Sequence, residues 1–165
     1  MIYIGVDPGK TGGIAVFKDA VVAELIPMPI AKAGKKMEID EKLLVQKFSS
    51  YVLWPRCPNG VRAYVELVGA RPGQGVTSMF SFGTGWGLVR GMLAALMIPY
   101  ELVRPQAWKK VMMAGQPKGS EYHVASRLWP KIEWPRTPKS KQVLDGVVDA
   151  ALICEYGRRC HLGEK

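Results

Sequence analysis

Hydrophobic and polar positions change their period several times along this chain, and the changes mark out its elements. Ile2 to Val6 is a short, β-rich apolar run closed by Pro8-Gly9, the pattern of a buried strand. Gly13 to Phe17 and Val21 to Ile26 read as two more strands, joined by a tight turn at Lys18-Asp19-Ala20, so that the first three strands form an antiparallel meander. The next stretch, MPIAKAGKKMEID, is Lys-rich and broken by proline, and reads as a mobile connection. Asp40 then has the marks of a helix N-cap. Ile39 before it and Leu44 at the fourth helical position form a hydrophobic staple. Leu43, Leu44, Phe48, Tyr51 and Val52 give that helix an apolar face, and Trp54-Pro55 ends it.

Val61 to Leu67 reads as a fourth strand with a polar residue, Glu66, near its carboxyl end. The loop VGARPGQG leads into a long helix from Val76 to Met97 that carries Gly83, Gly87 and Gly91. Each such glycine costs a helix up to about 1 kcal/mol relative to alanine. A repeat at every fourth position therefore calls for a close-packed partner, either the protein's own sheet or a helix of a second copy. Ile98 to Val103 is a fifth strand, and Arg104-Pro105 opens a helix containing Trp108-Lys109-Lys110. Another helix covers Ser120 to Leu128, and a Pro/Trp/Lys-rich loop, WPKIEWPRTPKSK, leads to a last helix from Val143 to Tyr156 stopped by Gly157. This order describes an α/β protein with a five-stranded mixed sheet, three antiparallel strands and then parallel ones, flanked by helices. No repeat or composition break divides residues 1–165, which read as one domain.

Charge adds a partner to this picture. Lys and Arg number 23 against 14 Asp and Glu, a formal charge of +9. The excess favours a polyanion, and nucleic acid ahead of an anionic membrane because no basic amphipathic helix stands out. Asp7 and Lys10 interrupt the N-terminal apolar run, and GLVRGMLAALMIPY is too short to span a bilayer, so a cytoplasmic protein without a membrane partner is expected. Cys57, Cys154 and Cys160 contain no Cys-x-x-Cys pair, which fits a reducing compartment.

Four acids carry the candidate chemistry. Asp7 lies at the end of the first strand and Glu66 near the end of the fourth, so neighbouring strands would bring both to one sheet edge. Asp145 and Asp149 stand i, i+4 on one face of the last helix, where like charges repel by a few tenths of a kcal/mol. Leu144, Val147, Val148, Ala151 and Leu152 place much of that helix against the sheet, so Asp149 should be partly buried and in need of a counter-charge. Acids converging in a basic protein suit hard divalent cations, and two ions about 3.5–4 Å apart can drive phosphodiester hydrolysis. An alternative is open for the same opening: Lys10-Thr11-Gly12-Gly13 also suits the phosphate loop of sugar-kinase and actin-like ATPases, although those fold as two related domains. Arg71 and Gln74 in the glycine-rich loop are candidate DNA contacts, as are Lys109, Lys110 and Lys118 among the tryptophans of the C-terminal half. His123 and His161 have no nucleophile to serve.

Taken in order, IGVDPGKTGGIAV, YVELVGARPGQGVTSMFSFGTGWGLVRGML, VRPQAWKK and KQVLDGVVDAALICEYG resemble the RuvC-like Holliday junction resolvases, in particular their compact phage-type branch. The resemblance runs from Ile2 to Gly157. It implies a ribonuclease H-like fold, a homodimer, and cutting of four-way and other branched DNA by paired nicks that depend on Mg²⁺, two ions per site, with Mn²⁺ able to substitute. It matches Asp7, Glu66 and Asp149 to the family's first-strand, fourth-strand and final-helix acids, and makes them catalytic metal ligands. Asp145 resembles the family's other helix acid, although bacterial resolvases space that pair three apart rather than four. Lys118 resembles a basic residue near the site, and the glycines at 83, 87 and 91 fall on the helix that carries the family's dimer contact. A DNA-binding protein without catalysis is the rival from another class.

Overall fold

The computed structural model describes residues 1–52, 60–69, 73 and 75–164, without the side chain of Val52. Trp54-Pro55, Cys57, Arg71 and Gln74 lie outside the described residues. The expected five strands are present as β1 (Ile2–Asp7), β2 (Gly13–Lys18), β3 (Val21–Pro27), β6 (Val61–Glu66) and β7 (Tyr100–Val103). They form one sheet in the order β3-β2-β1-β6-β7. β1 pairs antiparallel with β2, and β2 with β3, whereas β1–β6 and β6–β7 are parallel.

The stretch expected to be a mobile connection is instead a hairpin, β4 (Ile30–Ala33) and β5 (Lys36–Ile39). It stands off the main sheet as a two-stranded ribbon in which every strand residue except Ile39 is exposed, so its lysines leave almost no buried face to mark it. Gly34, with φ +60°, supplies the left-handed residue of the turn. α1 (Glu41–Val52) begins as its sequence requires, with Asp40 Oδ1 accepting the Leu43 amide at 3.0 Å. Leu44, Phe48 and Tyr51 are buried, but Leu43 is 41% exposed and belongs to the outer face.

Strand alternation sorts the core into two layers. Ile2, Ile4 and Val6 of β1 join Ala63 and Val65 of β6 under α1 and α2 (Val76–Ala95). Tyr3 and Tyr64 face the opposite layer, which is covered by α3 (Pro105–Met112), α4 (Glu121–Leu128) and α5 (Asp145–Leu162). At roughly 1.5–3 kcal/mol per buried large aliphatic or aromatic side chain, these two layers hold the sheet in place.

α5 does not stop at Gly157 but runs on to Leu162, with Gly163 (φ 72°) as its left-handed cap. Gly157 is there for contact: a Cβ at this position would lie 2.5 Å from Cδ1 of Tyr64, whose ring packs on the bare helix backbone. The same device brings the helix down onto β1 and β2. A Cβ on Gly5 would fall 2.6 Å from the Cys154 amide nitrogen, and one on Gly13 2.7 Å from Cγ2 of Val147. Gly146 makes a parallel bridge to Gly12. The backbone of α5 thus approaches the sheet closely beside the end of β1.

Candidate active site

Asp7 is the last residue of β1 and shares the side-chain parity of Tyr3, so it points to the α5 layer. Val6 pairs with Val65 in the parallel β1–β6 ladder, which carries Asp7 and Glu66 out of the sheet side by side on that same face. Asp149 arrives from α5. Its neighbours Val147 and Ala150 are the residues that close on Gly13 and Gly5, so the helix is held next to the strand end. Three acids from β1, β6 and α5 therefore converge, although 142 residues separate the first from the last.

Their electrostatics show the strain of that arrangement. Burial, reinforced by the charge of Glu66, pushes the Asp7 carboxyl from its ordinary 3.8 up to about 6. The Gly9 amide, 3.5 Å from Asp7 Oδ1, and Lys109 counter only part of this. Asp149 rises to about 7, chiefly by burial; Lys109 opposes the rise, and Asp7, Glu66 and Glu121 add to it. Burial alone would lower the Lys109 ammonium, yet a 2.9 Å ion pair with Glu121 and the charges of Asp149 and Glu66 raise it. The cluster is short of positive charge.

Asp145 sits apart. It is exposed on the first turn of α5, where it lines a cleft of about 250 Å³ together with Asp149, Glu121, Tyr122 and Gly119. Four residues along a helix are neighbours, but the turn that buries Asp149 against the sheet leaves Asp145 on the rim. Among the described residues no three His, Cys, Asp or Glu side chains close to metal-ligand spacing. The donors are nonetheless all carboxylate oxygens, the ligand type that a hard divalent cation takes.

Two members of the cluster carry no sequence signal. Trp108 donates its indole N–H to Glu66 Oε1 at 2.9 Å across 42 positions of sequence, and Glu121 reads from sequence only as an acid in the first turn of its helix. No spacing rule pairs residues that far apart. Lys109, read from sequence as a DNA contact, lies inside the cluster, over the Trp108 ring and bonded to Glu121. Lys110 and Lys118 are exposed beside it, and Lys118 is close enough to help lower the Glu121 carboxyl. Lys10 donates to the Met37 carbonyl of the hairpin at 3.2 Å. It also borders a groove of about 750 Å³ that starts at Gly9-Lys10-Thr11, directly after Asp7, and runs between Lys36 of the hairpin and Thr77, Ser78 and Phe82 of α2. Gly83, Gly87 and Gly91 are exposed, and a Cβ on any of them would meet nothing within 4 Å. They do not pack on the protein's own sheet.

A mixed five-stranded sheet in this order, three antiparallel strands and then parallel ones flanked by helices, is the RuvC-like form of the ribonuclease H-like fold. Two solved structures of RuvC from Thermus thermophilus are similar to the chain over nearly its full length. The first is RuvC in complex with Holliday junction substrate: TM-score 0.62, 17% identity, covering 99% of this chain and 97% of that one. The second, also RuvC, has TM-score 0.55 and 18% identity, covering 99% of this chain and 98% of that one. The sequence matches no protein-family model and no curated protein. At this level of identity the likeness establishes the fold.

Proposed function

We propose that the protein is a structure-selective endodeoxyribonuclease that resolves Holliday junctions and other branched DNA by paired nicks. The observation that carries the reading is the convergence of Asp7, Glu66 and Asp149 on one edge of a RuvC-like sheet, in a chain of net charge +9. Similarity to a RuvC bound to Holliday junction substrate supports the choice of DNA form.

Asp7, Glu66 and Asp149 would hold the divalent ion, and Asp145 on the rim gives enough carboxylate oxygens for a second. Mg²⁺ held there, or Mn²⁺ in its place, would supply an activated water and stabilisation of the leaving 3′ oxygen. Each acid must be deprotonated to serve as a ligand, and the raised positions of Asp7 and Asp149 mean that ion binding displaces protons from them. Lys109 offsets part of the negative charge and so keeps the cluster tolerable to an approaching phosphate. The glycine turn after Asp7 presents no side chain at Gly9 or Gly12, and the adjoining groove gives the DNA backbone a path to the acids. Lys10, Lys110 and Lys118, with Arg71 and Gln74, supply sequence-independent contacts to phosphates.

The exposed glycine face of α2 supports a homodimer, whose two-fold axis would match the near two-fold symmetry of a junction and place one site on each of two strands. By the resemblance of its four motifs we place the chain with the phage-type branch, active in the cytoplasm of a bacterial cell or infected host. Among the described residues no helix is long and apolar enough to cross a membrane.

A labelled four-way junction incubated with Mg²⁺ tests the proposal. The wild-type protein should give paired nicks and the Asp7→Asn protein none; undiminished cleavage by Asp7→Asn would sink the assigned site. Salt-sensitive junction binding without nicking, with Mn²⁺ as well as Mg²⁺, would make the protein a junction binder instead.

A further inference from the structure

We infer that Trp108 is the positioning residue of Glu66, its indole N–H fixing one carboxylate oxygen so that the other is left to the metal. The inference rests on the metal-site reading above. Trp108 is fully buried in the α5 layer, in the same cluster as Val103, Met112 and Val124, so its ring has one orientation. Its Nε1 lies 2.9 Å from Glu66 Oε1, and among the described residues this is the hydrogen bond that the Glu66 side chain makes. A buried N–H without an acceptor is costly, so the bond holds Glu66 as firmly as the core holds the indole.

The choice of donor matters chemically. An indole is a donor only and does not ionise, so it orients a carboxylate without cancelling its charge. A lysine at the same place would pin Glu66 equally well and would also compete with a cation for it. In this chain the neighbouring Lys109 gives its ion pair to Glu121 at 2.9 Å rather than to Glu66, with its ammonium 4.9 Å from the centre of the Trp108 ring. One turn of α3 thus separates two tasks: neutral orientation of Glu66 by Trp108, and charge compensation of the cluster by Lys109. Outer partners of this kind commonly set metal affinity by a factor of about 10–100.

Mn²⁺ binding, followed calorimetrically in the absence of DNA, reads this directly. Trp108→Phe removes the donor, and replacement of Trp108 by 3-benzothienylalanine removes it while keeping the shape of the ring. Both proteins should bind Mn²⁺ about 10–100-fold more weakly than wild type. Neither change should weaken binding further in a Glu66→Gln background, where the oriented carboxylate is already gone; a residue that merely supports the fold would weaken it there too. Wild-type affinity in the benzothienyl protein, or an undiminished loss in the Glu66→Gln background, overturns the inference. Wild-type Mn²⁺ affinity in Glu66→Gln and Asp7→Asn alike overturns the metal-site reading itself, and the inference with it.

Discussion

Replacing Asp149 by asparagine should stabilise the metal-free protein, and by an amount that depends on pH. Asp149 in the folded chain titrates at about 7 against an ordinary 3.8, mainly because α5 buries it. Between those values the folded state keeps a proton that the unfolded chain has released, so stability falls as pH rises through this window. The penalty is absent below about pH 4 and complete above about pH 7. At 1.36 kcal/mol per pH unit, the displacement corresponds to an upper bound of roughly 4 kcal/mol. Lys109 and entering water can rearrange around the charge, so we expect about 1–3 kcal/mol from Asp149→Asn at about pH 8. For a chain of this size that is roughly 3–10 °C in Tm. Thermal melts followed by circular dichroism in chelator, at about pH 4.5 and about pH 8, measure it. The gain should appear in full at the higher pH and fall to about a quarter of that at the lower. Millimolar Mg²⁺ at the higher pH should raise the Tm of the wild type and leave the variant unmoved. A variant no more stable than wild type at about pH 8, or equally favoured at both pH values, would refute the argument that burial of this carboxylate strains the fold.

Other substitutions separate the parts of the molecule. Gly5→Ala pushes a methyl to within 2.6 Å of the Cys154 amide and against the Ala150 carbonyl, and should cost at least about 1–3 kcal/mol in denaturant unfolding while levering Asp149 away from Asp7. Gly87→Leu faces open space in one protomer, so its melting temperature as a monomer should hold, whereas sedimentation should show the dimer dissociating if α2 is its interface. Asp40→Ala removes the bond to the Leu43 amide and should cost about 1 kcal/mol with no effect on cleavage, as urea unfolding and a junction assay would show. Asp145→Asn, at the exposed rim, should reduce junction cleavage less than Asp7→Asn does, and a loss as deep would show that Asp145 moves into the cluster when ions bind.

Much of the fold is legible because its signals are local. Five strands and their flanking helices follow from hydrophobic period, from Asp40 as a cap and from Pro105 at the start of a helix, each written within a few residues. The errors came where local signals serve a distant purpose. The β4–β5 hairpin hides in a lysine-rich stretch because its strands face solvent and have almost no buried face to mark them. Gly157 looks like a helix stop because its real reason, the ring of Tyr64, lies 93 residues away in sequence. The glycines of α2 call for a partner in either reading, and only the structure shows that the partner is not the protein's own sheet.

For the site, the sequence by itself determined the inventory: carboxylates at two strand ends, a pair on the last helix, and a basic chain around them. The tertiary structure decided which of these meet. The parallel register of β1 and β6 aligns Asp7 with Glu66, and the bare backbone contacts at Gly5, Gly13 and Gly146 lower α5 until Asp149 joins them while Asp145 stays at the rim. It also decided that Lys109 faces the acids and that Trp108 reaches Glu66. Convergence of this kind depends on strand register and on the distance between helix and sheet. Both are set by packing between segments remote in the chain, and no pattern along the chain encodes them residue by residue.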